Sequence, residues 1–359
     1  MPNCSPFRAA VRQTVDADLS THVRQLRQEF AGLPGAVQLL DFAENLLGGG
    51  KRTRAQLLAL GWLYATGDAS LSPAPRGGAL AVELFQAAAL VHDDLMDASA
   101  TRRGQPTVHR AAAAQHAAKQ RRGSADQFGA AAAILLGDLL LVQAQREFRR
   151  AAGVVPEAEP ALRQYEQMAA ELQLGQFLDV RAQTEPVGTP GGLETILEVL
   201  DYKSGRYSVE YPLVIGALLG GLSARQVEPL RAWARPLGIA FQLRDDALGV
   251  FGDSRTTGKP AGGDIHEGKR TALLELTWQH TDAAGRALLT DVYSTPTPAQ
   301  AQVQAVSELM RTSGGEAAHE TLIAQQVAAA TAALANLPQE QAPRELFAEF
   351  ATALTARSA

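Results

Sequence analysis

Apolar residues recur every three to four positions along most of the chain, which is the spacing of one buried face on an α-helix. This pattern predicts helices over 19–31 and 35–48, from Lys51 to Tyr64, and over 79–98, 125–150 and 160–183. It continues through 189–220, across 238–253, and then over 270–280, 282–292, 298–312, 315–337 and 340–356. Turn formers punctuate it: Leu33, Pro34 and Gly35, the triplet Gly48, Gly49 and Gly50, and SPAPRGG from Ser72 to Gly78, read as a connection. KSGR, Lys203 to Arg206, reads as a break, with Pro212 marking a second bend. No repeat or strand-rich region interrupts the pattern. The expectation is an all-α chain forming a single domain over 1–359, with the first ~15 residues flexible.

Two acidic stretches stand inside this apolar pattern. In VHDDLMD, Val91 to Asp97, Asp93 and Asp97 lie four apart and project from one helical face. Asp94 is offset by roughly 100° and widens the acidic lip. GIAFQLRDDALGVFGD, Gly238 to Asp253, carries a second lip at Asp245 and Asp246, with Gln242 on the same side. There Gly249 stands where a third carboxylate would complete the spacing. Clustered carboxylates beside apolar residues repel one another and lose hydration unless a counterion is present, and an oxygen-only ligand set favours Mg2+. Each lip is followed by cations, Arg102 and Arg103 after the first, and Lys259, Lys269 and Arg270 after the second. Acid, metal, phosphate and base in that order describe a polyphosphate site. Lys51 and Arg54, read as sharing a face at the opening of a helix after the glycine triplet, add an anion site. His92, His109 and Asp138 read as structural.

Composition removes other classes. The chain has 359 residues, a net charge of -5 and 46% apolar content, an ordinary globular balance. One cysteine, Cys4, leaves no intramolecular disulfide and no zinc cluster, and fits a reducing cytoplasm. No basic stripe points to nucleic acid, and no secretory signal is read. Asp138 interrupts the apolar run Ala130 to Leu141, and Glu83 heads the run before His92, so no transmembrane segment is expected.

Taken in order, GGKRTR (Gly49 to Arg54), DDLMD with Arg102, Arg103 and Gly104, the run from Phe241 to Gly258, Lys259 and Pro260, EGKRT (Glu267 to Thr271) and RTSG (Arg311 to Gly314) resemble the trans-isoprenyl diphosphate synthases, the polyprenyl synthetase family. The likeness is greatest to bacterial geranylgeranyl diphosphate synthases. It implies the isoprenoid synthase fold, a helical bundle around a deep central cavity, acting as a homodimer. It also implies a Mg2+-dependent prenyltransferase, with three ions per site, joining isopentenyl diphosphate to dimethylallyl, geranyl or farnesyl diphosphate. By resemblance Asp93, Asp94, Asp97, Asp245 and Asp246 hold metal, and Lys203 with Ser204 lies over the phosphates. Lys51 and Arg103 serve isopentenyl diphosphate, Arg54 belongs to the diphosphate-binding segment, Arg102 serves the allylic partner, Gln242 lies near the allylic diphosphate or the reacting carbon, and Lys259 and Lys269 serve a closing loop. Gln86 departs from a histidine found in many relatives.

The residues four and five before Asp93, Ala89 and Ala88, set product length in such enzymes, and neither is a plug. Phe85 is the first large candidate for a floor, and a C20 product is expected. Farnesyl or C30–C40 products remain open. A class I terpene cyclase would mix Asn or Asp with Ser and Glu in its second motif. A noncatalytic subunit would lack the first acidic cluster, and a purely structural helical protein would gain nothing from either lip.

Overall fold

A computed structural model describes residues 5–252, 262–338 and 343–355. In chain order its helices are α1 (Pro6–Glu29), α2 (Pro34–Leu47), α3 (Thr53–Thr66), α4 (Pro73–Met96), α5 (Val108–Ala118), α6 (Ala125–Ala152), α7 (Glu159–Gln183) and α8 (Gly192–Leu200). A π-helical segment, Asp201–Glu210, leads into α9 (Tyr211–Leu219) and α10 (Glu228–Phe251). Then come α11 (Gly263–His266), α12 (Ala272–His280), α13 (Ala283–Tyr293), α14 (Gln300–Thr312), α15 (Gly315–Leu334) and α16 (Arg344–Thr355). The only strands among the described residues are β1 (Thr101–Arg102) and β2 (Gln105–Pro106), one small antiparallel hairpin. The fold is the all-α bundle expected. The chain forms two compact units, Met1–Arg163 with Pro212–Ala224, and Gln164–Tyr211 with Arg225–Ala359.

In the first unit α1 starts far earlier than 19. Ser5 caps it, accepting from the Arg8 amide, and Pro6 opens its first turn, where a missing N–H costs nothing. Val11 and Val15 extend the buried stripe of Leu19, Val23 and Leu26. Each such side chain withdraws apolar surface worth about 1.5–3 kcal/mol. The connection expected at 72–78 is likewise the first turns of α4, with Pro73 at its start. Gly77 there packs against Ala151, while Gly78 packs against Leu58 and Leu219. α4 and α5 both pack on α6. One face of α6 is buried through Ala133, Leu136, Leu140, Ala144 and Phe148, whereas Ile134, Leu135 and Val142 are 48%, 59% and 60% exposed. By length and composition alone α6 could cross a membrane, Asp138 notwithstanding, a test that buried core helices pass as well.

The second unit is built around α10. Ala240 and Leu243 pack with Ile196, Leu200, Ala272 and Ile323, and Val250 packs with Ile265, Leu273, Leu289, Val303 and Val306. Trp233 meets Phe347 edge to face at 4.8 Å. KSGR does not break the chain: the backbone stays helical from α8 to α9 by widening into π geometry. Pro212, which has no N–H to give, sits just past the change of register. Gly205 in the wide segment and Gly238 in α10 touch backbone to backbone, where a Cβ on Gly238 would lie 2.2 Å from the Gly205 carbonyl oxygen.

Candidate active site

The first carboxylate set ends α4. Asp94 is 2% exposed and Asp93 and Asp97 are half-buried. The hairpin after them turns on Arg103 and Gly104, both with positive φ (53° and 75°), as a two-residue turn of this hand requires. That turn folds Arg102 back eight residues onto Asp94. Its Nε donates to both Asp94 oxygens at 2.8 Å and its Nη2 to Oδ1 at 2.6 Å, while Nη2 lies 3.8 Å from Asp93. Burial alone would lower the Arg102 pKa, but hydrogen bonding to Asp94 and the charges of Asp94, Asp93 and Asp97 raise it. Arg103 points elsewhere, donating to the Gly49 carbonyl at 2.9 Å with its guanidinium against Gly50. Its pKa is lowered by burial and by the neighbouring charges of Arg52 and Arg102.

The GGKRTR loop is held by a residue not singled out from sequence. Arg52 is buried in the left-handed conformation (φ 53°), donating to Asp16 at 2.7 Å and Glu83 at 3.4 Å and to the Leu47 carbonyl. Glu83 also accepts from the Ala55 amide at 3.2 Å, capping α3. Because α3 begins at Thr53, Lys51 lies outside the helix, so it does not share a helical face with Arg54 as expected. Lys51 is exposed, and Arg54 is half-buried. Along α4, Phe85 and Ala88 are buried (3% and 0% exposed), whereas Gln86 and Ala89 are partly exposed on the side of Asp93. His92 packs over Gly137 of α6, its Nε2 3.2 Å from the Ile134 carbonyl oxygen and 3.6 Å from Asp138.

The second set lies on α10. Asp246 is 6% exposed, and its Oδ1 accepts from Gln242 at 2.9 Å. Its Oδ2 is buried with no hydrogen-bond partner. Burial first, then the charges of Asp264 and Asp245, push the Asp246 pKa well above the usual carboxylate range, against the opposing Gln242 hydrogen bond and Lys269 charge. Asp245 is half-buried, and Asp264 of α11 lies against Gly249. Lys269 sits 3.0 Å from Glu267 and 4.0 Å from Asp264. Arg270, grouped with the cations above, instead donates to the Glu185 carbonyl at 2.5 Å and stacks on Tyr293. Lys259 and Asp253 lie outside the described residues.

Lys203 rides the π-helical segment and pairs with Asp179 at 2.5 Å, while Ser204 beside it is buried. Asp201 anchors the segment, accepting from Arg206 at 2.9 Å and from Arg235 at 2.9 and 2.5 Å. Arg206 also reaches Glu171 at 3.0 Å and lies over the Tyr202 ring. Asp179 and Asp201 gave no sequence signal, standing among other charged residues on mixed segments. Glu83 did, as a charge inside a buried run.

Among the described residues no three carboxylate or imidazole groups converge to cage a metal. Carboxylates in ones and twos, with an unpartnered oxygen on Asp246, fit Mg2+ of the kind that arrives with phosphate oxygens and keeps several waters.

The whole arrangement now meets known proteins. The polyprenyl synthetase family matches residues 37–310, and the chain belongs to that family. A crystal structure of geranylgeranyl pyrophosphate synthase from Corynebacterium glutamicum, complexed with isoprenyl diphosphate and magnesium, is 32% identical and superposes with a TM-score of 0.88 over 99% of this chain and 100% of that one. Farnesyl diphosphate synthase of Geobacillus stearothermophilus is 34% identical over 77% of this chain and 88% of its own length. Nonaprenyl diphosphate synthase of Mycobacterium tuberculosis is 32% identical over 89% of this chain and 90% of its own. The protein is a trans-prenyltransferase that condenses isopentenyl diphosphate with an allylic diphosphate. These relatives carry names for products of different length.

Proposed function

We propose that the protein makes an all-trans prenyl diphosphate, with geranylgeranyl diphosphate (C20) as its product, in a Mg2+-dependent reaction. The observation that carries the reaction is the pair of carboxylate sets, one on α4 with Arg102 and Arg103, the other on α10 with Lys269. Asp93, Asp94 and Asp97, and Asp245 and Asp246, would hold Mg2+, with three ions per site the number we adopt from the family, and the bound metal would supply neutralisation of the leaving diphosphate. Arg102, Lys203, Lys259 and Lys269 serve the allylic diphosphate, while Lys51, Arg54 and Arg103 serve isopentenyl diphosphate. Gln86, Ser204 and Gln242 add neutral donors. The apolar wall of α4 keeps water from the allylic cation while the isopentenyl double bond attacks. The proton then leaves, and the departing diphosphate is its acceptor because no described side chain stands out as a base. Full turnover in excess chelator would overturn this reading.

Product length rests on α4. Ala88 and Ala89 leave its wall open below Asp93, and Phe85 is the first bulky side chain beneath them. Phe85→Ala should lengthen the products and Ala88→Phe should shorten them toward C15, read by chromatography of the dephosphorylated prenols. A wild-type product of C35 or C40 would sink the C20 assignment. The exposed stripe of α6, Ile134, Leu135 and Val142, supports a homodimer with a second copy covering it. Leu135→Glu should then yield monomers in light scattering, and an unchanged mass would reject that face. The single cysteine supports our assignment of the enzyme to the cytoplasm.

A further inference from the structure

The segment that carries Lys203, Asp201–Glu210, is π-helical over ten residues, although such widening is mostly confined to a single turn. An ion pair inside it matches that geometry. Asp201 and Arg206 are five residues apart, and Arg206 Nε donates to Asp201 Oδ2 at 2.9 Å. On an α-helix residues five apart point roughly 140° away from each other, whereas a ladder bonded from i to i+5 stacks them on one side. The pair therefore belongs to the wide register. Its side chains are 9% and 16% exposed, and Arg235 of α10 also donates to both Asp201 oxygens. Arg206 continues to Glu171 of α7 at 3.0 Å, its guanidinium 4.0 Å over the Tyr202 ring. Burial opposes the Arg206 charge, but Asp201 and Glu171 outweigh it and raise its pKa. Close packing seats the same segment. Gly175 of α7 lies against its backbone, where a Cβ would come 2.7 Å from the Lys203 nitrogen, and Gly238 of α10 meets Gly205. Lys203 then reaches Asp179, one turn beyond Gly175, at 2.5 Å.

We propose that Arg206, acting through Asp201, is a positioning residue for the prenyl transfer: the pair holds the segment in its π register, and that register aims Lys203 at the allylic diphosphate. The inference rests on the assignment of Lys203 to that diphosphate above. If the segment relaxed to α geometry, each residue of register shift would turn Lys203 by about 100° around the axis and carry it away from Asp179. Arg206 needs no contact with substrate, since its guanidinium is already shared between two carboxylates and the Tyr202 ring. An ion pair serving stability alone could form at the ordinary spacing of four, with no widening of the helix.

The test combines steady-state kinetics, calorimetric binding of an unreactive allylic thiolodiphosphate, and thermal unfolding, on the full chain. Arg206→Met strands neither acid, because Asp201 keeps Arg235 and Glu171 keeps the Tyr211 hydroxyl. It should raise the KM for geranyl diphosphate and the Kd for the thiolodiphosphate about tenfold, the loss of one charge-assisted contact, and leave the KM for isopentenyl diphosphate within about twofold of wild type. Lys203→Met should do the same. The double variant should bind no worse than Lys203→Met alone, because Arg206 acts only through the lysine. Arg206→Lys keeps the charge without the fork that serves Asp201 and Glu171 together, and should recover part of the loss. Additive losses in the double variant would overturn the proposal. So would a lower melting temperature with allylic binding unchanged in Arg206→Met, which is what a scaffold ion pair gives. If Arg206→Met does not fold, Arg206→Gln, which keeps a donor for Asp201, carries the same cycle. Wild-type thiolodiphosphate binding in Lys203→Met would instead remove the assignment of Lys203 beneath it.

Discussion

The two carboxylate sets solve opposite problems. On α4 the most buried acid, Asp94, is already clamped by Arg102 through three contacts, and the group whose charge is disfavoured is a cation, Arg103, pushed down by burial and by Arg52 and Arg102. On α10 the most buried acid, Asp246, has only the neutral Gln242 on one oxygen and nothing on the other, and its charge is the one disfavoured. Without ligand, the charge disfavoured at the first set is therefore that of a cation, Arg103, and at the second that of an acid, Asp246. Each set brings acids and cations together, and both kinds of group are needed to hold a metal-diphosphate complex.

The largest consequence concerns Arg102 against Asp246. Removing one partner of a buried pair strands the other, so Arg102→Met should destabilise the metal-free protein by about 3 kcal/mol. Asp246→Asn removes a group whose charge burial and the neighbouring acids disfavour, and should leave metal-free stability unchanged or raised. Both should lose most activity. Denaturant unfolding of the two variants without metal decides it, and equal losses would erase the contrast.

The units also differ in how acid reaches them. His319 in α15 is 1% exposed, and burial, with a smaller push from Arg244 against Glu320, lowers its pKa to about 4. His22 in α1 is lowered as well by burial, but Glu147 at 3.6 Å offsets part of that. A histidine whose folded pKa lies below its unfolded value binds its proton more tightly in the unfolded chain. Its stabilising effect is therefore complete above pH 6.5 and is lost as pH falls toward 4. Across that window His319 carries on the order of 3 kcal/mol at most. Acid should thus open the second unit first. Hydrogen exchange at pH 5 in wild type and His319→Phe would measure this, with the variant protecting α15 and leaving α1 unaffected.

What the sequence made legible was what lies within one element. Asp93 with Asp97, and Gln242 with Asp246, are visible because four residues make a helical turn. Contacts made by folding back were hidden. Arg102 reaches Asp94 only through a turn with two positive φ values, and Asp264 reaches Gly249 from a separate helix. The absent third carboxylate at 249 was readable as a departure, yet the packing of Asp264 into that gap was not. Proline and glycine misled twice for one reason: they mark chain breaks in solvent, but at 73–78 they open a helix and permit close packing, and at 203–212 they accompany a π-helical widening. The first half of α1 was hidden because its buried stripe there is narrow, Val11, Val15 and Leu19 among polar and charged residues.

The smallest stability effect is the sharpest test of the comparison. Arg103 gives one hydrogen bond, to the Gly49 carbonyl, and meets more repulsion than attraction from its charged neighbours. That bond is exposed, and relief from Arg52 and Arg102 offsets part of its loss, so Arg103→Gln should shift ligand-free stability by no more than about 0.5 kcal/mol. Its effect should fall on ligand instead. A cation held ready beside Gly49 and Gly50 gains a charge-assisted partner when a diphosphate arrives, and removing it should weaken inorganic diphosphate binding about tenfold at low salt. Calorimetric titration alongside thermal unfolding separates the two. If Arg103→Gln unfolds as easily as Arg102→Met, Arg103 belongs to the scaffold, and its charge is not disfavoured in the folded protein.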